Sequence, residues 1–194
     1  MSATSRLFVA LLPPQAVQDH LATAITGLHL DAVPRRPEAP WHITTAFIGE
    51  VDDAAIPLAT AAVAAACATT TAFRLSLAGA GRFGRGRYSV VWAGVDGDVA
   101  ALVGHVAELR AQLGARGLPY DQRQYRPHVT LARTGDRLSP GQSAADLMSL
   151  RAYSGPSWMV SGCVLYAVDP GPTYRAVSHH ALTAEVRGPD TATR

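Results

Sequence analysis

The spacing of apolar positions changes several times along the chain, and each change marks an element. An unbroken apolar run, Leu7 to Leu12, stops at Pro13-Pro14 and reads as a buried strand over Arg6 to Leu12. It is short and has no small-residue cleavage site after it, so a strand is expected here rather than a secretory leader. A helix then opens at Pro14, with Val17, Leu21, Ala24, Ile25 and Leu28 on one face. The proline-rich stretch Val33 to Pro40 is a loop that leads into a second strand, Trp41 to Ile48. Asp52 and Asp53 stand where a helix cap belongs, ahead of an alanine-rich helix that runs to Ala68.

Phe73 to Leu77 alternates with period two, as a half-buried strand does. Gly79 to Arg87 reads as a loop and Tyr88 to Val95 as the next strand. Val99, Leu102, Val103, Val106, Leu109 and Leu113 follow the three-four spacing of a helix that Gly114 and Gly117 end. A polar loop rich in Arg and Tyr precedes a strand at His128 to Arg133. After a looser segment, Trp158 to Ser161, Val164 to Val168 and Tyr174 to Leu182 have strand patterns, and the end from Arg187 reads as a frayed tail. Helices and successive strands in this order predict an α+β fold with antiparallel sheets. Helix, loop and strand end at His42 and again at His128. That echo predicts one bilobal domain over residues 1–186, its lobes related by a pseudo-twofold, with 187–194 as a flexible tail.

Composition narrows the chemistry. All 17 basic residues are arginine, and lysine is absent. A Schiff-base lysine, a P-loop and a nucleotidyl-lysine intermediate are therefore excluded. Arginine remains for phosphate oxygens, and its planar fork suits them. The net charge of +2 allows a local anion site but no general nucleic-acid coat. Cys67 and Cys163 lie in apolar patterns and read as two buried free thiols. No Cys-x-x-Cys is present, so no structural zinc is expected. Ala54 to Ala68 is too short to span a bilayer. A cytoplasmic protein is the expectation, with no metal, cofactor, membrane or obligatory protein partner.

Two strands carry the candidate chemistry: Trp41-His42-Ile43-Thr44 and Pro127-His128-Val129-Thr130. Residues two apart on a strand share a face, so each His-x-Thr shows an imidazole and a hydroxyl together. If the strands lie side by side, two imidazoles and two hydroxyls converge. In-line attack on a phosphodiester needs a base for the entering water and an acid for the departing oxygen. Two near-neutral histidines can supply both, and two hydroxyls can donate to the non-bridging oxygens. The plainer alternative is a pair of strand histidines hydrogen-bonded in a core.

These segments, with Arg6-Leu7-Phe8-Val9-Ala10-Leu11, His42 to Gly49 and Arg126 to Arg133, resemble the two-histidine (2H) phosphoesterase superfamily with its HxTx motif. Within it the chain is most similar to the RNA 2′,3′-cyclic phosphodiesterase branch, also called 2′-5′ RNA ligase-like. The resemblance implies a bilobal α+β fold, two antiparallel sheets with flanking helices around a central cleft. It also implies an RNA-processing hydrolase that opens a 2′,3′-cyclic phosphate to a 2′-phosphate. By position, His42 would be the proton donor and His128 the proton acceptor. Thr44, Thr130 and Arg133 would bind the phosphate, and Phe47 would contact the base. The chain departs from the family at Thr45-Ala46, where bulkier apolar residues are common, and loosely in the loop Arg35 to Pro40.

Other positions are weaker candidates. Arg82, Arg85 and Arg87, interleaved with Phe83 and Tyr88, have the character of a surface that grips phosphates and stacks on bases, or of a solvated hairpin tip. Tyr120, Arg123, Tyr125 and Arg126 form a second such cluster, in which Tyr125 and Arg126 flank the second motif. His20, His29 and His105 are expected to face solvent, and His179 and His180 to point to opposite faces of a strand. The competing functions are reversible 2′-5′ joining of RNA ends, another small cyclic phosphodiester as substrate, and a non-catalytic RNA- or nucleotide-binding module. A metallohydrolase ranks behind them, because no acidic cluster lies near either histidine.

Overall fold

The computed structural model describes residues 3–34, 40–168 and 174–184. Twelve helices and strands follow in order: β1 (Thr4–Leu11), α1 (Gln15–Ile25), β2 (Ile43–Asp52), α2 (Ile56–Thr69), β3 (Phe73–Phe83), β4 (Val90–Gly97), α3 (Val99–Ala115), β5 (His128–Ala132), α4 (Pro140–Leu150), β6 (Trp158–Val160), β7 (Gly162–Val168) and β8 (Tyr174–Ala181). The strands form one sheet in the order β6-β3-β4-β5-β2-β1-β7-β8, with every named pair antiparallel. The fold is α+β, as the element order predicts.

The two expected sheets are the two halves of this one. Each half has four strands, and a single residue pair, Ile43 with Val129, joins β2 to β5. Reading outward from that pair, β2-β1-β7-β8 mirrors β5-β4-β3-β6, the order a pseudo-twofold produces. The main core, on one face of the sheet, includes Leu7, Val9, Leu11, Ile43, Val129 and Leu131 with Leu21, Ala62, Leu102 and Leu109 of the helices. A smaller cluster on the opposite face joins Phe8, Ala10, Val164 and Tyr166 with Phe47 and Tyr174. β1 and β7 are therefore apolar on both faces, because both faces are covered.

Local chemistry explains most boundaries. Pro14 caps α1, and the Asp52 carboxylate accepts from the Ala54 amide to start the turn that enters α2. Gly117, in the left-handed region at φ 71°, follows the end of α3. Three expectations need correction. β3 does not stop at Leu77 but continues through the glycines to Phe83, because its pairing with β4 runs on to Phe83 opposite Val90; a Cβ at Gly81 would occupy the space of the Trp92 ring, so a glycine fits there. β4 accordingly starts later, at Val90. The looser segment contains α4, which opens with a reciprocal cap: Ser139 Oγ accepts from the Gln142 amide, and Gln142 Oε1 accepts from the Ser139 amide. The tail at 187–194 and Arg35 to Ala39 of the proline-rich loop lie outside the described residues.

No helix among the described residues is long and apolar enough to cross a membrane. Asp146, buried on α4, accepts from the His29 and Leu30 amides and from His29 Nδ1, pinning the segment between α1 and β2. That segment leads toward the first motif.

Candidate active site

The Ile43–Val129 pair joins the middle residues of the two motifs. Extending that antiparallel register by one residue sets His42, which stands just ahead of β2, across from Thr130 and Thr44 across from His128. The two apolar centres point into the main core and are fully buried, so both imidazoles and both hydroxyls share the opposite face. All four of those side chains are half-buried. On the far side of β5, Trp92 pairs with Thr130 and Gly94 with His128.

Each imidazole is aimed by its own backbone. His42 Nδ1 lies 2.9 Å from the Pro40 carbonyl and His128 Nδ1 2.7 Å from the Arg126 carbonyl, in both cases two residues upstream. A carbonyl only accepts, so Nδ1 carries the proton in each ring and Nε2 is left for chemistry. Both rings are held below the ordinary histidine range. Burial is the main cause for each, partly offset by the carbonyl bond; Arg133 adds repulsion at both, and His128 adds more at His42. One guanidinium and two imidazoles therefore lie within electrostatic reach of one another, which is the arrangement an anion would fill.

Aromatic rings wall the histidines on both sides. Phe8 lies 5.3 Å from His42 between ring centres, and Tyr174 meets His42 edge-on at 5.7 Å. Phe83 meets His128 edge-on at 4.9 Å, with Trp92 behind it. The sequence marks Phe83 as a stacking candidate and Phe8 as part of a family-like strand, but it does not single out Trp92, Tyr166 or Tyr174. The alternation of Arg6-x-Phe8-x-Ala10 and Val164-x-Tyr166-x-Val168 is visible, but an apolar run does not say which face meets which element.

Phe47 reaches the same face through an irregularity. Strict alternation from His42 and Thr44 would send it to the other side. The β1 register skips Thr45 and Ile48, pairing Ala10 with Thr44, Val9 with Ala46, Phe8 with Phe47 and Leu7 with Gly49. Thr45, buried, donates its hydroxyl to the Val9 carbonyl, and Phe47 turns onto the open face under the Arg6 guanidinium, 4.8 Å from its ring centre. The Thr45-Ala46 departure is the site of that bulge.

The weaker candidates divide. Arg82 precedes Phe83 on β3, so its side chain leaves from the face opposite His128 and lines a cavity with Ser89, Asp136 and Ser139 instead. Arg85 and Arg87 are exposed at the turn beyond β3, with Arg87 stacked on Tyr88 at 4.8 Å. Tyr125 packs against the main core with its hydroxyl buried, and burial pushes that hydroxyl's pKa up. Arg126 is exposed and contributes its carbonyl to His128. Tyr120 packs against the core, and Arg123 pairs with Asp121, whose carboxyl it holds down at about 2. His20 and His29 stay at the surface. His105 does not: it is buried on α3 and burial lowers its pKa to about 4. Its neighbours at the three-four spacing are core residues, which should have signalled this.

With this geometry in view, comparisons place the chain among known proteins. The sequence profile of the 2′-5′ RNA ligase superfamily matches residues 13–171. A protein from Geobacillus stearothermophilus named RNA 2′,3′-cyclic phosphodiesterase is 34% identical over 152 residues, 75% of this chain and 46% of that one. One of the same name from Aeropyrum pernix is 37% identical over 113 residues, 57% of this chain and 60% of that one. The matches thus span about half the length of these relatives. The crystal structure of Escherichia coli LigT complexed with 3′-AMP superposes with a TM-score of 0.69 at 25% identity, covering 94% of this chain and 99% of that one.

Proposed function

The chain belongs to the 2′-5′ RNA ligase superfamily, and on that premise we propose that it hydrolyses the 2′,3′-cyclic phosphate ends of RNA or nucleotides to 2′-phosphates. The observation that carries this reading is the Ile43–Val129 pair, which sets two imidazoles with free Nε2 atoms and two hydroxyls on one open face. The relatives named RNA 2′,3′-cyclic phosphodiesterase support the reaction class. The 3′-AMP complex of LigT supports a nucleotide as ligand.

In this reading the phosphate sits against Thr44 and Thr130, whose hydroxyls donate to the non-bridging oxygens as charge builds there. Arg133 supplies the permanent cation that lysine cannot. His128, neutral, takes a proton from water at Nε2. His42, protonated, delivers one to the departing 3′ oxygen, and the 2′ ester bond survives. The anionic phosphate stabilises the protonated imidazole that the free protein disfavours. Phe47 and Tyr174, only partly buried, offer surfaces for a base or ribose. Acid, base and cation are all side chains of this chain, and the reaction as written calls on no cofactor. Buried free thiols at Cys67 and Cys163 agree with a cytoplasmic protein.

The test is incubation with an oligonucleotide ending in a 2′,3′-cyclic phosphate, in EDTA and without ATP. A 2′-phosphate product is expected. A 3′-phosphate, or binding without turnover, would overturn the reading. Accumulation of 2′-5′-joined strands when a 5′-hydroxyl acceptor is added would instead favour the joining reaction.

A further inference from the structure

Cys67 and Cys163 are 96 positions apart in sequence, yet their sulfurs lie 3.0 Å apart in the main core, with His105 beside them. Cys67 comes from α2, His105 from α3 and Cys163 from β7. The two sulfurs and an imidazole nitrogen of His105 all lie within 4.8 Å of one another, and all three residues are at most 2% exposed. Cys163 projects from the sheet face opposite the Val164–Tyr166 cluster, so this group is separate from His42 and His128.

The hydrogen bonds determine which nitrogen of His105 is available. Thr70 Oγ1 donates its one proton to the Ala66 carbonyl at 2.8 Å, so toward His105 Nδ1, 3.1 Å away, it can only accept. Nδ1 therefore carries the ring proton, and Nε2 presents a bare lone pair. That atom is buried and has no hydrogen-bond partner. A buried acceptor without a donor is costly, and a disulfide between the two cysteines would leave it so. A metal ion would satisfy it. A histidine whose second nitrogen is anchored by a hydroxyl is also the usual preparation for ligation.

We propose that Cys67, Cys163 and His105 Nε2 form a three-coordinate site for a soft monovalent ion, Cu(I). Thiolates with an imidazole select soft ions, whereas structural zinc is held by four ligands. Among the described residues no fourth metal-ligating side chain joins this group, and the core that packs around the two cysteines is apolar. Trigonal bonds of about 2.3 Å set two sulfurs about 4 Å apart, so the thiols separate by about 1 Å on binding. Each thiol releases one proton, the ion remains Cu(I), and no electron is transferred.

The experiment is anaerobic titration of the reduced full chain with Cu(I) in competition with bathocuproine disulfonate, followed by native mass spectrometry and X-ray absorption. One ion per chain with two sulfur and one nitrogen neighbours is expected, and Ag(I) should substitute. Cys67→Ser should abolish retention, and Thr70→Val should weaken it about 10- to 100-fold by releasing the imidazole. The wild-type measurements decide the matter even if Cys67→Ser fails to fold. Failure to withhold Cu(I) from the chelator would overturn the site. So would Zn(II) held with four ligands, or a chain that only loses two hydrogens to a disulfide in air.

Discussion

Ile43 and Val129 are partners across β2 and β5, and among the described residues theirs is the one strand pairing that joins the two halves of the sheet. Both side chains are fully buried on the helical side, so the histidines and threonines that flank them have only the open face to occupy. The site and the seam of the fold are the same place.

Replacing either His42 or His128 by Ala should lower turnover of a cyclic-phosphate substrate by about 10²- to 10⁴-fold. The thermal midpoint should barely move, since neither ring fills the main core. The double variant should fall far short of the product of the two losses, because the pair acts as a unit. Initial rates and melting curves on the same samples check this. Near-normal activity in either single variant would remove the two-histidine mechanism.

The pH profile follows from the same geometry. Both imidazoles have pKa values below the ordinary 6.5, so the bell of kcat/KM, which reports the free protein, should peak on the acid side of that value. Arg133 lowers both, so Arg133→Ala should move both limbs to higher pH while raising KM. A peak that stays in place in the variant would mean that the guanidinium does not act on the histidines.

Gly81→Ala tests the aromatic wall behind His128. Its Cβ would enter the space of Trp92, which leans on Phe83, 4.9 Å from the imidazole. A loss of about 1–3 kcal/mol in stability is expected from the forced shift. A rise in KM greater than the unfolded fraction explains should accompany it. Denaturant titration alongside steady-state kinetics separates the two effects.

Asp146→Ala should cost about 3 kcal/mol by leaving the buried Leu30 amide and the part-buried His29 amide without their acceptor. Asp146→Asn keeps one carbonyl acceptor and should lose less. The denaturation midpoints of the two variants, measured together, rank them.

Much of the candidate site is legible in the sequence alone. His42, Thr44, His128 and Thr130 announce themselves because strand alternation is local, and two copies of one pattern invite pairing. The α4 cap was also readable in Ser139-Pro140-Gly141-Gln142, although it lacks a long apolar stripe behind it. Arg82 illustrates the limit. Its basic, aromatic surroundings fit a phosphate contact or a hairpin tip, but β3 runs on to Phe83, and strand alternation sets Phe83 beside His128 and Arg82 on the opposite face.

By itself the sequence determined the alternation, the caps, the lysine-free chemistry and the two His-x-Thr units, since each depends on neighbours a few residues apart. Tertiary structure decided what those units meet. It set the Ile43–Val129 register and the Thr45 bulge that turns Phe47 toward the histidines. It also carried His105 into the core and brought Cys67 to Cys163. Those outcomes depend on which distant strand or helix comes alongside, and packing both faces of one sheet selects that partner.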